Sequence, residues 1–239
     1  MPSPEPALVL LPGLDGIGTR LADFLAHLGE SFDARIVGYP PERPLAYEAL
    51  ERLVRAALPE DRAYVLIGES FSGPIALRIA SDAPAGLRAV VLCGSFVRSP
   101  FPRLRWAAPL VARVPIKSLP RWMRARLLWG SDASAGIPGQ AQRATARVAA
   151  AVLRTRLAAL LTVDARAAAA RIRVPMLVIR ARHDRLVRSR ATREILEAAP
   201  HAELVDVDGP HLLLQTRPRE CASLVARFIR GLGIEDQHA

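Results

Sequence analysis

Ser70 lies at the junction between a predicted strand and a predicted helix, in the sequence YVLIGESFSGPIALRIA. A nucleophile at such a sharp turn needs small neighbours, because the strand and helix backbones come very close together. Gly68 and Gly73 meet this need, and Ser72 replaces the usual glycine with another small residue. The pattern predicts Ser70 as an acyl-transfer nucleophile in preference to Ser72, which would lie inside the helix. The alternative is an ordinary strand-turn-helix with incidental serines.

A histidine base and an acid are expected downstream of this serine, because a hydroxyl is a weak nucleophile until a base takes its proton. His211, in VDVDGPHLLLQ, follows the last predicted strand and is the candidate base. Asp184, in RARHDRLV, follows the preceding strand and is the candidate acid that orients the imidazole. Asp206 and Asp208 are alternatives to Asp184. The other histidines, which are less suited by position, are His27, His183, His201 and His238.

Two main-chain amides are predicted to bind the oxyanion of the tetrahedral intermediate. The N–H of Phe71 directly follows the nucleophile at the start of a helix, where the helix dipole assists. The second donor is expected from the loop LVLLPGLDGIG after the first strand, and Leu14 is the candidate. A phosphate-binding loop is the alternative, but the glycines match neither nucleotide-binding pattern and Asp15 would repel an anion. Asp15 remains a candidate substrate contact.

Short apolar runs alternate with helical patterns along the chain and predict a parallel sheet covered by helices on both faces. The fold class is therefore α/β, a three-layer sandwich with a mostly parallel six-stranded sheet. The predicted strands are Ala7–Pro12, Ala34–Tyr39, Tyr64–Gly68, Ala89–Gly94, Pro175–Ala181 and Glu203–Val207, and the predicted helices are Thr19–Leu28, Ala46–Leu58, Phe71–Ser81, Arg190–Ala198 and Pro218–Gly231.

One long connection interrupts this alternation and predicts a helical lid. It spans residues 96–164, is rich in proline and carries all three tryptophans. Such long connections in a compact domain are usually functional. We expect residues 1–95 and 165–239 to form the core of a single domain with the lid inserted between them. Trp106, Trp122 and Trp129 are candidate walls of an acyl pocket.

The net charge of +10 is concentrated in the same region. Thirteen of the 33 basic residues lie between Ala83 and Val163, and Asp132 is the only acid there. This regional excess argues against a general nucleic-acid binder and predicts steering of an anionic substrate group towards the lid. The alternative is that these arginines pair with carboxylates of the core.

The remaining composition narrows the class of protein. The N-terminus lacks the features of a secretory signal, and no apolar run has the ~20 residues of a membrane span. The cysteines, Cys93 and Cys221, lie in apolar patterns and favour packed thiols over a disulfide framework or a metal site. We expect a cytoplasmic enzyme with no metal or organic cofactor.

The motifs together resemble the α/β-hydrolase superfamily over nearly the whole chain. PGLDG, GESFSG, RARHDRLV and DGPH are similar to segments of small bacterial serine esterases. The resemblance implies Ser70, Asp184 and His211 as the triad, with Leu14 and Phe71 as oxyanion donors. It also implies a lid between the fourth and fifth strands. Ser72 and Pro12 depart from the common pattern, where glycine and histidine are usual.

The expected activity is hydrolysis of a carboxylic ester or thioester through an acyl-enzyme. A substrate with an anionic part, such as a coenzyme A or carrier-protein conjugate, fits the basic lid. One alternative is acyl transfer by the same triad. Another is a non-catalytic protein that binds a lipid or membrane surface through the basic, tryptophan-bearing lid. The sequence leaves the acyl chain length and the oligomeric state open.

Overall fold

A parallel six-stranded sheet forms the centre of the molecule. The computed structural model describes residues 5–29, 32–111 and 147–232. The strands are β1 (Ala7–Leu11), β2 (Ala34–Ile36), β3 (Tyr64–Glu69), β4 (Leu87–Cys93), β5 (Met176–Ala181) and β6 (Glu203–Val207). Their order across the sheet is β2-β1-β3-β4-β5-β6, and every neighbouring pair is parallel. The predicted six-stranded α/β fold is thereby confirmed.

Helices cover both faces of this sheet. They are α1 (Ala22–Leu28), α2 (Tyr47–Arg55), α3 (Gly73–Ala80), α4 (Ala108–Val111), α5 (Ala150–Thr162), α6 (Arg166–Ala169), α7 (Ser189–Ala198), α8 (Leu213–Thr216) and α9 (Pro218–Gly231). Short 3-10 helices cover Gly18–Leu21, Ser70–Ser72 and Pro102–Ala107. Helices α1, α8 and α9 pack on one face, and α2 to α7 contribute to the core on the other.

The central strand β1 is apolar throughout because both faces of the sheet are buried there. Val9 and Leu11 of β1 belong to one core, whereas Leu8 and Leu10 belong to the other. All four side chains are at most 1% exposed. Because β3, β4, β5 and β6 are parallel, their carboxyl ends lie at one edge of the sheet, where the loops that follow them can meet.

Among the predicted boundaries that differ from the structure, two have identifiable reasons. Strand β2 ends at Ile36 and not at Tyr39, because the chain leaves the sheet there and the Tyr39 N–H bonds the Gly16 carbonyl at 3.0 Å. The helix predicted from Phe71 begins as a 3-10 turn, and its α-helical part starts at Gly73. Ser72 therefore lies in the turn before α3 and not within it.

The two ends of the long connection meet beside the sheet. The Ser99 N–H bonds the Val163 carbonyl at 3.0 Å, and the Ala165 N–H bonds the Val97 carbonyl at 2.8 Å. The connection thus leaves and re-enters the core at one place. Residues 112–146, which include Trp122 and Trp129, lie outside the described residues, so the predicted lid stays a prediction. Within the three described ranges, no helix is both long and apolar enough to cross a membrane.

Candidate active site

Ser70 occupies a strained turn at the end of β3. Its φ is +49°, a left-handed backbone conformation that side chains other than glycine rarely adopt. Ser95, which follows β4, stabilises this turn, because its hydroxyl donates a hydrogen bond to the Ser70 carbonyl at 2.6 Å. Gly73 is needed beside it, because a Cβ there would lie 1.8 Å from the Ser95 Oγ. This tight turn, the nucleophile elbow, directs the Ser70 side chain towards the loop that follows β6.

Three side chains from distant parts of the chain join at this point. The Ser70 Oγ lies 2.8 Å from the His211 Nε2. The His211 Nδ1 lies 2.7 Å from the Asp184 Oδ2. An ionised carboxylate only accepts hydrogen bonds, so Nδ1 carries the proton and Nε2 is free to accept from the Ser70 hydroxyl. This is the tautomer that a general base requires.

Asp184 is held rigidly by its own loop. Its second oxygen, Oδ1, accepts the N–H groups of Leu186 at 2.8 Å and Val187 at 2.7 Å. The side chains of His211 and Asp184 are only 3% and 2% exposed. Both carboxylate oxygens are therefore used, and the imidazole is oriented by an acid that cannot rotate without losing bonds.

The alternative acids are engaged elsewhere. Asp206 forms a two-pronged ion pair with Arg180, at 2.6 and 2.5 Å, and this pair lowers the pKa of Asp206. Asp208 pairs with His183 at 2.8 Å on the surface. The structure thus brings together the three residues that the sequence favoured and leaves Asp206, Asp208 and His183 outside the cluster.

The loop after β1, residues 12–18, lies against the nucleophile elbow. The Gly13 N–H donates to Oε2 of Glu69, the residue before Ser70, at 3.1 Å. The other oxygen, Glu69 Oε1, accepts from the Gln215 side chain at 2.7 Å. Within the described residues, the N–H groups of Leu14 and Phe71 have no hydrogen-bond partner. Both amides thus remain available to a ligand.

Asp15 stabilises the loop in which it lies. The residue is 4% exposed, and its carboxylate pairs with Arg20 at 2.8 Å and accepts the Ile17 N–H at 3.2 Å. These contacts stabilise the loop conformation around Leu14. A contact between Asp15 and substrate stays a prediction.

A second set of polar contacts, which the sequence analysis missed, links the elbow to this loop. The Ser72 hydroxyl donates to the Pro12 carbonyl, so the Tyr39 hydroxyl must donate to the Ser72 Oγ, which lies 2.6 Å away. Burial is the main reason why the pKa of Tyr39 is raised well above its ordinary value. Ser72 and Pro12, the two departures from the common motif, thus contact each other directly.

Arg156 extends this network from α5 and is fully buried. Its guanidinium donates to the carbonyls of Leu14 and Pro40, both at 3.0 Å, and lies over the Tyr39 ring at 5.4 Å from the centroid. Burial lowers the pKa of Arg156. The only sequence signal was an arginine within the apolar pattern LRTRLAALL, which also fits a solvent-exposed side chain.

The remaining predicted residues lie apart from these contacts or outside the described ranges. Trp106 is 70% exposed, on the 3-10 helix that follows β4. Cys93 and Cys221 are buried free thiols. In the part of the chain that the structure describes, no group of histidine, cysteine or carboxylate side chains could hold a metal ion.

A parallel sheet with a positive-φ serine at its elbow defines the α/β class of hydrolytic enzymes. The family model described as the alpha/beta hydrolase family matches residues 8–224. The chain belongs to the alpha/beta hydrolase family.

Solved structures of low sequence identity share the fold. A hydrolase from Oleispira antarctica superposes with a TM-score of 0.81 at 17% identity, over 95% of this chain and 91% of that one. The enol-lactonase from Burkholderia xenovorans gives 0.78 at 19% identity, over 95% and 92%. An esterase from Exiguobacterium antarcticum gives 0.77 at 13% identity, over 94% and 92%.

One curated relative matches part of the chain. Phytyl ester synthase 1, a chloroplastic protein of Arabidopsis thaliana, is 30% identical over 119 residues, which is 46% of this chain. The match spans only 16% of that relative's length.

Proposed function

We propose that this hydrolase cleaves a carboxylic ester or thioester through an acyl-enzyme on Ser70. The observation that carries the proposal is the continuous hydrogen-bond chain from Ser70 through His211 to Asp184, with distances of 2.8 and 2.7 Å. Among the described residues, no other serine hydroxyl forms a hydrogen bond with a histidine ring. A serine activated in this way attacks carbonyl carbon.

The reaction follows from the direction of these bonds. The Ser70 Oγ attacks the carbonyl while His211 Nε2 takes its proton, and Asp184 stabilises the imidazolium that forms. The tetrahedral intermediate collapses, and His211 gives the proton to the departing alkoxide or thiolate. A water molecule then loses a proton to His211 and attacks the acyl-enzyme, which regenerates Ser70.

Leu14 and Phe71 are the proposed oxyanion donors. Two facts support them: both N–H groups lack a partner within the described residues, and the Leu14 carbonyl is fixed by Arg156. A preorganised donor costs no reorganisation when charge develops on the substrate oxygen. The positive charge of Arg156 close to the Leu14 peptide adds to the favourable potential.

The proposal also specifies that the substrate carries an anionic group. The lid arginines between residues 112 and 146 lie outside the described residues, but a second basic feature supports the idea. A cavity of about 680 Å³ next to Asp184 is lined by Arg180, Arg182, Arg185 and Arg188. Asp184 is bonded to His211 and Asp206 is paired with Arg180, which leaves Arg182, Arg185 and Arg188 as the charges that would meet an anionic group.

Acyl transfer to an alcohol is the second candidate, and the similarity to a protein named phytyl ester synthase favours it. The same acyl-enzyme would form, with an alcohol in place of water as the acceptor. Product analysis with and without added long-chain alcohol separates the two. Buried free thiols at Cys93 and Cys221 support a reducing, cytoplasmic location for either reaction.

Labelling with a fluorophosphonate probe tests the nucleophile. We expect the chain to be labelled and Ser70→Ala to lose the label completely, while Ser223→Ala, at an exposed serine of α9, keeps it. Hydrolysis of p-nitrophenyl esters and acyl thioesters should be lost in parallel. Retained labelling in Ser70→Ala would refute the proposal.

The anionic preference is tested by comparing neutral and anionic acyl thioesters at rising salt. We expect kcat/KM for the anionic substrate to fall with salt, since exposed charges are screened over about 10 Å at 0.1 M. Arg182→Gln combined with Arg185→Gln should reduce this advantage, and Arg193→Gln, at an exposed position of α7, should not. Equal rates for both substrates at all salt concentrations would remove the anionic group from the proposal.

A further inference from the structure

Large exposed apolar side chains of the described residues fall within one short segment. Leu104 is 47% exposed, Trp106 is 70% exposed and Leu110 is 47% exposed. They lie on the 3-10 helix Pro102–Ala107 and on α4, directly after β4. Single exposed apolar side chains are common on folded proteins, but a cluster of them is costly to hydrate. Such a cluster therefore usually marks an interaction site.

The same segment is strongly basic. Arg103 and Arg105 alternate with Leu104 and Trp106, and both arginines are exposed. Neither forms an ion pair with any described residue. The sequence contains no acid between Asp82 and Asp132, so the segment has no carboxylate of its own to neutralise this charge.

Two buried side chains of this segment pack into the main core. Ala108 and Val111 are buried in the main core, whereas Leu104, Trp106 and Leu110 remain exposed. The Leu104 N–H bonds the Phe101 carbonyl at 2.9 Å, which fixes the start of the turn. The exposed side chains are therefore presented by an ordered backbone, at the same edge of the sheet as Ser70.

We propose that this face, formed by Arg103, Leu104, Arg105, Trp106 and Leu110 and named here the Trp106 surface, docks on an anionic lipid bilayer. Tryptophan is favoured at the headgroup level, because its ring is apolar and its N–H is polar. The leucines enter the acyl boundary, and the guanidinium groups bind lipid phosphates. Docking in this way places the edge of the sheet that holds Ser70 at the bilayer.

The charge pattern favours a bilayer over a second copy of the chain. A symmetric dimer through the Trp106 surface would bring Arg103 and Arg105 towards the same arginines of the partner, with no carboxylate between them. An anionic bilayer instead offers phosphates to every guanidinium. The inference goes beyond ester hydrolysis, since docking needs no catalysis.

Cosedimentation with vesicles tests the proposal on the full chain. We expect binding to vesicles of phosphatidylglycerol and phosphatidylcholine, weaker binding to phosphatidylcholine alone, and loss of binding as salt rises. Leu104→Ser, Trp106→Ala and Leu110→Ser combined should lower the partition coefficient at least tenfold. Arg103→Gln with Arg105→Gln should lower it about fivefold per charge removed.

The matched controls separate docking from folding and from catalysis. Arg173→Gln with Arg193→Gln removes the same charge at two exposed positions elsewhere, and we expect it to bind nearly as the parent does. Ser70→Ala should bind vesicles unchanged, so a failed hydrolase proposal leaves this result intact. Each variant must keep the thermal midpoint of the parent; for a variant that does not, the single substitution Trp106→Ala, at a side chain that is 70% exposed, is used.

Fluorescence gives an independent readout. Vesicles should shift the tryptophan emission of the parent to shorter wavelength, and Trp106→Phe should lose most of that shift. The proposal is overturned if no vesicle binds, if the Trp106 surface variants bind like the parent, or if light scattering shows a dimer that these variants dissociate.

Discussion

The guanidinium of Arg156 donates a hydrogen bond of 3.0 Å to the carbonyl of Leu14. Arg156 lies on α5, the helix that returns from the long connection, and Leu14 supplies the proposed second oxyanion donor. The two are separated by 142 positions in the sequence. The conformation of the oxyanion loop is therefore coupled to the position of α5.

Arg156→Met should lower kcat for ester hydrolysis about tenfold to a hundredfold with little change in KM, because a displaced Leu14 amide weakens binding of the transition state and not of the substrate. Arg156→Lys should recover part of the loss, since one ammonium can still reach one carbonyl. Steady-state and burst kinetics measure both. A purely structural role would instead lower the thermal midpoint and leave kcat of the folded fraction unchanged.

Ser72→Ala should destabilise the fold by about 1–3 kcal/mol, because the buried Tyr39 hydroxyl loses its acceptor and the Pro12 carbonyl loses its donor. Urea unfolding measures this, with Ser223→Ala as the matched serine control. In the double-mutant cycle with Tyr39→Phe the costs should not add, since a phenylalanine ring has no hydroxyl that needs the acceptor. Strict additivity would show that the Tyr39–Ser72 bond contributes nothing.

Asp184→Asn should lower kcat on the order of 10³-fold to 10⁴-fold and leave the fold intact. An amide can donate to Nδ1, which stabilises the tautomer with the proton on Nε2 and leaves no free base for Ser70. Labelling by a fluorophosphonate should slow to a similar extent. Asp206→Asn and Asp208→Asn are the matched controls, and a comparable loss in either would reassign the acid.

Glu194→Gln should reduce the free energy of unfolding at pH 7 by about 1 kcal/mol. Hydrogen bonds from Arg98 at 2.8 and 2.6 Å are the main cause that lowers the pKa of Glu194 in the folded protein. A lowered carboxyl pKa stabilises the fold above the unfolded value of about 4.3, and that contribution is lost as pH falls through the folded value.

Urea unfolding between pH 7 and pH 3 checks this prediction. The parent should lose more stability than Glu194→Gln over the acidic part of the range, and Glu60→Gln, at an exposed position, should follow the parent. Parallel curves for the parent and Glu194→Gln would contradict it.

Sequence patterns were sufficient for the sheet because parallel strands covered on both faces are mostly apolar, so they stand out as short apolar runs. Five of the six observed strands begin within two residues of their predicted starts and end within one residue of their predicted ends, and β2 is the exception at its carboxyl end. Its end depends on the Tyr39–Gly16 hydrogen bond, a contact between two loops that no local pattern contains.

The residues of the candidate site likewise include some that sequence patterns could identify and some that they could not. Ser70, Asp184 and His211 were selected by residue type and by their position after predicted strands, and their side chains lie in hydrogen-bond contact. Glu69, Gln215 and Arg156 were not selected, because each acts through a main-chain or side-chain partner far away in sequence.

The sequence by itself determined the fold class, the family and the identity of the residues able to do chemistry, because these depend on local periodicity and on short motifs. Only the tertiary structure decided what holds the oxyanion loop and why serine can occupy position 72. Ser72 contacts Pro12, Tyr39 contacts Ser72, and Arg156 stacks on Tyr39. Such a network forms only when separate segments pack together, since burial makes each unpaired polar group costly and so selects the partners.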